Sequence, residues 1–93
     1  MSENLRRYPR QEIQIEVELR FLDDDPRMAI TRDMSEGGLF MRIKDTDHYP
    51  MGEMLSVRFK NPLNDFEETD KDAIIVRHSE DGIAVAFVEM NEF

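Results

Sequence analysis

An alternation of apolar and polar residues from Glu12 to Leu22 constrains the fold more than any other feature of the sequence. Its apolar members are Ile13, Ile15, Val17, Leu19 and Phe21. Successive side chains of a β-strand point to opposite faces, so a period of two predicts a strand with one face in a core and the other in water. The segment is therefore predicted to be the first strand of a sheet.

Further segments along the chain also show strand patterns, and turn-forming residues separate them. In the second strand, Arg27 to Arg32, we expect Met28 and Ile30 to face inward. In the third, Phe40 alternates with its apolar neighbours, so it is either exposed or covered by another part of the chain. The remaining strands are expected at Leu55 to Lys60, Ala73 to His78 and Gly82 to Met90, with an acidic connection from Asn61 to Asp72.

Six short antiparallel strands in 93 residues predict an all-β domain. A small closed barrel is favoured because closure removes the unpaired edges that an open sheet exposes. A two-sheet sandwich is the alternative architecture. The first residues have few apolar anchors and include Pro9, so we expect residues 1–11 to form a flexible arm and residues 12–93 to form the barrel.

The composition excludes several kinds of chemistry. The chain has no cysteine, which excludes disulfides and thiolate catalysis. His48 and His78 have no partner at metal-ligand spacing, and the acidic clusters lack the order of a calcium loop, so no metal is expected. A nucleophile elbow is also missing, and the chain is predicted not to be an enzyme. With no apolar run long enough to span a membrane and no signal peptide, the expected location is the cytoplasm, without membrane insertion.

Two polar clusters are candidates for a ligand site. Arg6, Arg7 and Arg10 stand close together in a chain of net charge -9. An acidic protein repels polyanions at long range, so these arginines favour a small anion held by close contacts over nucleic acid. The segment from Asp33 to Gly38 has the composition of a turn that approaches something closely. Alone, the first cluster could be a solvated tail and the second a simple turn. Together they predict two parts of one site.

These clusters resemble the two motifs of PilZ domains, which are bacterial receptors for the second messenger cyclic di-GMP. Arg6 to Arg10 is similar to Arg-x-x-x-Arg, and Asp33 to Gly38 is similar to (Asp/Asn)-x-Ser-x-x-Gly. The segments that begin at Gly38 and Gly82 extend the resemblance over nearly the whole chain. It implies a six-stranded antiparallel β-barrel and, since the sequence stops at Phe93, a C-terminal helix that is short or absent.

The resemblance also implies which residues bind the ligand: Arg6, Arg7, Arg10, Asp33, Ser35, Gly37, Gly38 and His78. Guanidinium groups match both the phosphates and the O6/N7 edge of guanine. Asp33 is expected to accept from a guanine or to orient an arginine, and Ser35 to donate its hydroxyl. Gly38 is expected to let the ligand or the arm lie on the barrel wall. His78 is expected to stack on a base.

The function implied is a cyclic di-GMP receptor or adaptor with no other cofactor. The arm would become ordered over the ligand, and an unidentified effector protein would read the change. Motility and biofilm formation are possible outputs that the resemblance implies, and a monomer or weak homodimer is expected. The alternative is a PilZ-like domain that acts by protein contact alone, on pilus or flagellar machinery. An RNA-binding barrel is a third possibility that the acidity of the chain disfavours.

Overall fold

The structure is a computed structural model and describes residues 11–22 and 24–88. The strands are β1 (Glu16–Arg20), β2 (Arg27–Ser35), β3 (Gly38–Arg42), β4 (Met54–Asn61), β5 (Glu67–Ser79) and β6 (Gly82–Phe87). Single 3₁₀ turns at Thr46–His48 and Pro62–Asn64 precede β4 and β5. Neighbouring strands are antiparallel in the order β1-β2-β3-β6-β5-β4, and β4 closes on β1. The predicted six-stranded barrel is thus confirmed, and the sandwich is excluded.

The interior of the barrel is filled by one face of each strand. In β1 and just after it, Val17, Leu19 and Phe21 are buried, as the alternation predicted. Ile13 and Ile15 are partly buried and pack against the same core. The strand itself begins later than predicted, at Glu16. No helical segment in the described part of the chain is long and apolar enough to cross a membrane.

The face that β2 turns inward is the opposite of the predicted one. Ala29 and Thr31 are buried, whereas the side chains of Met28 and Ile30 lie outside, with 56% and 41% of each residue exposed. Thr31 tolerates full burial because its hydroxyl donates to the Ile13 carbonyl and accepts from the Ile15 amide, the latter at 3.0 Å. A buried threonine whose hydroxyl is satisfied by backbone groups replaces the expected isoleucine.

The acidic segment predicted as a connection is mostly strand. Residues 67–72 form the first half of β5 and pair with β4, from Asn61 opposite Glu67 to Ser56 opposite Asp72. Asp70 accepts a hydrogen bond from Nη2 of Arg58 across the ladder at 3.3 Å. The prediction failed because this part of the hairpin is polar on its exposed face and lacks a strong apolar alternation. At the other end, the predicted extension of β6 to Met90 lies outside the described residues.

Candidate ligand-binding site

The Asp33–Gly38 motif lies at the tip of the β2–β3 hairpin and is held there by hydrogen bonds. Ser35 is the last residue of β2 and pairs with Gly38, the first of β3. Its Oγ accepts a hydrogen bond from the Gly37 amide at 3.2 Å. The Gly37 carbonyl in turn accepts one from the Phe87 amide at 2.9 Å. The hairpin tip is therefore tied by a hydrogen bond to the end of β6.

Gly38 is required by the packing of β3 on β6. A Cβ at this position would lie 2.3 Å from the Val85 carbonyl oxygen and 3.2 Å from the Cα of Ala86. The motif glycine was expected to make room for the ligand or the arm, but the close neighbour in the structure is the backbone of the adjacent strand. Its role here is to bring the hairpin tip close to β6.

Asp33 reaches the outer face of the barrel through an irregularity in β2. The register of β2 against β3 shifts between Thr31 and Asp33, so two residues separate the inward side chains of Thr31 and Met34. Asp33 is opposite Phe40, on the face of β3 that points away from the core. Its carboxylate is mostly buried, with 12% of the side chain exposed, and accepts a hydrogen bond from Nε of Arg32 at 3.1 Å.

Phe40 is fully buried although it lies on the outer face. The sequence had left open whether this ring is exposed or covered by another part of the chain, and the structure shows that it is covered. Part of the cover is Arg32, whose Cζ lies 3.9 Å from the ring centroid. Gly82 borders the ring on another side, because a Cβ there would lie 2.7 Å from Cε1 of Phe40. Arg32 was not singled out from the sequence. The one feature of the sequence that could have drawn attention to Arg32 is its position directly before the Asp33 motif.

The charge near this ring is mixed. Asp81 lies in the turn before β6, and the pKa of its carboxyl is lowered from the ordinary value by the hydrogen bond from the Ser79 hydroxyl and, to a smaller extent, by the charges of Arg32 and Arg42. Arg42 and Arg77 are exposed. The outer face around Phe40 thus carries arginines on a chain that is acidic as a whole.

The N-terminal chain joins the barrel beside the motif. Gln11 forms an antiparallel bridge with Met34, in which each amide donates to the other residue's carbonyl at 2.9 Å. Met34 lies between the two polar motif residues, Asp33 and Ser35. Arg6, Arg7 and Arg10, the predicted arginines of the site, lie outside the described residues. The described chain therefore begins at the motif, one residue after the last of these arginines.

His78 is not brought to the Asp33 side of the barrel. It pairs with the core residue Ile83, and its Nε2 makes a hydrogen bond to the Tyr49 carbonyl at 2.5 Å, at the end of the barrel opposite the motif hairpin. A register shift between Ile75 and Arg77 is the cause. It places Arg77, rather than His78, opposite Ala84 on the outer face.

Comparison with known proteins identifies the family. The model of the PilZ domain matches residues 4–92, nearly the whole chain. The chain belongs to the PilZ domain family. PilZ domains generally act as cyclic di-GMP receptors and as binding or adaptor domains, and no catalytic family is indicated for this one. Among the described residues, no cluster of histidine and carboxylate side chains could hold a metal ion.

Solved structures share the barrel. The structure of the Bacillus subtilis inhibitor of motility, MotI/DgrA, aligns with a TM-score of 0.78 and 18% identity, over 96% of this chain and 45% of that one. The PilZ domain of CeSA from a cellulose-synthesising bacterium aligns with a TM-score of 0.72 and 21% identity, over 89% of this chain and 83% of that one. This PilZ chain therefore spans less than half the length of MotI/DgrA. No match is found among curated proteins. At these identities, the alignments establish the fold alone.

Proposed function

We propose that this PilZ domain is a cyclic di-GMP receptor that signals to a protein partner through its N-terminal segment. The bridge between Gln11 and Met34 is the observation that carries the proposal, because it fixes the root of the arginine segment between Asp33 and Ser35. Consecutive Cα atoms are about 3.8 Å apart, and five residues span at most about 18 Å. A segment of this length permits the side chains of Arg10 and Arg6 to contact both polar motif residues.

The chemistry of the two motifs suits this ligand. Cyclic di-GMP has two phosphates and two guanines, and an arginine fork can bind either a phosphate or the O6/N7 edge of a guanine. Asp33 offers a carboxylate to an arginine or to the N1/N2 edge of a guanine, and Ser35 offers a hydroxyl. Because the chain as a whole is acidic, close contacts rather than long-range attraction must supply the affinity.

Signal transmission is proposed to follow from ordering of the arm. Ligand that bridges the arginines and the barrel would hold residues 1–10 against the outer face and so create a surface for an effector protein. Amide hydrogen exchange of residues 3–10 tests this step, since bound ligand should slow their exchange. Equal exchange rates with and without bound ligand would refute the ordering step while leaving the binding proposal intact.

Titration calorimetry with cyclic di-GMP, set against GTP and cyclic GMP, tests the binding proposal. Removing one arginine from a charged hydrogen bond should lose about 1.5–3 kcal/mol, or roughly ten- to hundredfold in affinity. The double variant Arg6→Ala/Arg10→Ala should therefore show no measurable binding. Its thermal unfolding temperature without ligand should stay close to that of the wild type.

The matched control removes two arginines from elsewhere. Arg20 and Arg58 lie on β1 and β4, where they pair with Glu18 and Asp70. Arg20→Ala/Arg58→Ala makes the same change in net charge and should keep the wild-type affinity. If the two double variants bind equally well, the site assignment is wrong.

A second candidate function is protein contact without nucleotide. It is favoured by a groove of about 370 Å³ on the far side of the barrel, whose lining combines the apolar residues Ile15, Met28 and Phe66 with charged residues such as Glu16 and Lys60. The side chain of Phe66 projects from a backbone with φ of 57°, and 62% of the residue is exposed. The names of the similar structures suggest motility or cellulose synthesis as processes in which a partner could be sought. This candidate predicts no calorimetric response of the wild-type chain to cyclic di-GMP.

A further inference from the structure

We propose that Arg32, resting on the ring of Phe40, is a further ligand-binding residue and that its guanidinium stacks on a guanine base of cyclic di-GMP. The proposal rests on the proposed receptor function and adds a residue outside both sequence motifs. It concerns the outer face of β2 and β3, next to Asp33.

Two contacts hold the Arg32 side chain in place. Its Cζ lies 3.9 Å from the centroid of the Phe40 ring, within the range of an arginine–aromatic contact. Its Nε donates to Asp33 at 3.1 Å. An arginine that is already ordered loses less conformational entropy when a ligand binds. The pair of contacts therefore gives the barrel a fixed, planar, positively charged surface beside the motif.

The free side of this guanidinium is available to a ligand. Phe40 covers one side of the group, yet 37% of the Arg32 side chain remains exposed. A guanidinium has five N–H donors. In residues 11–22 and 24–88, Asp33 accepts from Nε, and no described residue accepts a hydrogen bond from either Nη atom. Those donors are open to a partner that residues 11–22 and 24–88 do not supply.

A guanine base fits this surface better than a phosphate alone. A base offers a flat face for stacking and paired acceptors at its edge, and the flat cation matches both. A phosphate can also bind the guanidinium fork, but it does so along the N–H edge of the cation and makes no use of the flat face. The Phe40 ring orders the guanidinium for either partner, but only a base can stack on the flat side that Phe40 leaves uncovered. The exposed flat cation on an aromatic support therefore points to the base.

The test compares Arg32→Ala and Arg32→Lys with wild type by calorimetry with cyclic di-GMP. Loss of stacking and edge contacts should weaken binding by about ten- to hundredfold in Arg32→Ala. Arg32→Lys keeps the charge but not the plane, so it should bind nearly as weakly. Arg58→Ala, which removes an arginine from the far face, should stay within about twofold of wild type. Thermal unfolding without ligand shows whether each variant is folded.

A second measurement separates stacking from stability. The chain has no tryptophan and two tyrosines, so near-ultraviolet circular dichroism of the complex is dominated by the guanines. At saturating ligand, Arg32→Lys should change that spectrum, whereas Arg58→Ala should not. If Arg32→Lys binds cyclic di-GMP with nearly the wild-type affinity and gives an unchanged spectrum, the proposal is overturned, because the positive charge alone would then explain the contribution of Arg32. Wild-type affinity in Arg32→Ala would overturn it while leaving the receptor function standing, whereas no binding by the wild-type chain would overturn both.

Discussion

The hydroxyl of Thr31 attaches the segment before β1 to the barrel. Replacing this hydroxyl with an isosteric methyl group measures how much the attachment contributes to stability. Thr31 is fully buried. Its Oγ1 donates to the Ile13 carbonyl and accepts from the Ile15 amide at 3.0 Å. Thr31→Val preserves volume and β-propensity but removes both bonds. The backbone bond from the Thr31 amide to the Ile15 carbonyl, 2.9 Å, remains.

The expected loss of stability follows from the two bonds. A neutral hydrogen bond contributes a net 0.5–1.5 kcal/mol, so Thr31→Val should lower the free energy of unfolding by about 1–3 kcal/mol. Ile13 and Ile15 are only partly buried, which lets water reach their freed backbone groups and keeps the loss from exceeding this range. For a domain of this size, about 1 kcal/mol corresponds to a fall in Tm of roughly 4–8 °C.

Urea unfolding and amide exchange measure this prediction. The Ile15 amide should exchange faster in Thr31→Val, because its acceptor is gone. Thr69→Val is the matched control, since its exposed hydroxyl donates to the Glu67 carbonyl of its own strand and to no other group in the described part of the chain. If Thr31→Val changes stability by less than about 0.5 kcal/mol, as an ordinary surface substitution does, the inference that Thr31 attaches the segment before β1 to the barrel is wrong.

Two further predictions concern the motif hairpin and the opposite end of the barrel. Gly38→Ala places a Cβ against the Val85 carbonyl and should lower the free energy of unfolding by about 1–3 kcal/mol in urea, even without ligand. Asp45 has a pKa below its ordinary 3.8, chiefly because Arg27 donates a hydrogen bond to it. That stabilisation is present above pH 3.8 and is lost as the pH falls through the folded-state pKa. Asp45→Asn should therefore be less stable than wild type near neutral pH, and their Tm values should converge in acid.

The sequence predicted the architecture because local alternation carries most of the information about a barrel of short strands. Val17 and Leu19 are buried as expected, and the number of strands is right. The prediction failed where alternation was weak or ambiguous. In β2 the buried residue is Thr31 rather than Met28 or Ile30, and the backbone groups that satisfy its hydroxyl are distant in sequence. No local pattern reveals such partners.

The candidate site also has features that the sequence predicted and features that only the structure reveals. The polar residues Asp33 and Ser35 were predicted as site residues from the composition of their turn and from the resemblance to the PilZ motif, and the structure has both on the outer face. The position of Gln11 beside Met34 required the structure, because the pairing joins residues far apart in the chain. The structure was also needed to show that Arg77, and not His78, lies on the outer face. A single register shift reverses the face of every later residue in a strand.

The two register shifts explain why the barrel has a polar outer face here. Without the shift in β2, a strand with Thr31 inside would also turn Asp33 and Ser35 inside, where burial of a charged group among apolar side chains is costly. The shift instead turns both to the outside and returns Met34 to the core. The shift in β5 does the same for Arg77.

These shifts produce one row across four strands, in which Asp33, Phe40, Ala84 and Arg77 stand opposite one another in turn. The row has a carboxylate at one end, a cation at the other, and an aromatic ring and a small side chain between them. Irregularities of this kind often occur beside functional sites, where they re-aim a side chain. In this PilZ domain they bring the charged side chains of Asp33 and Arg77 to the outer face, on either side of the buried Phe40 ring and Ala84.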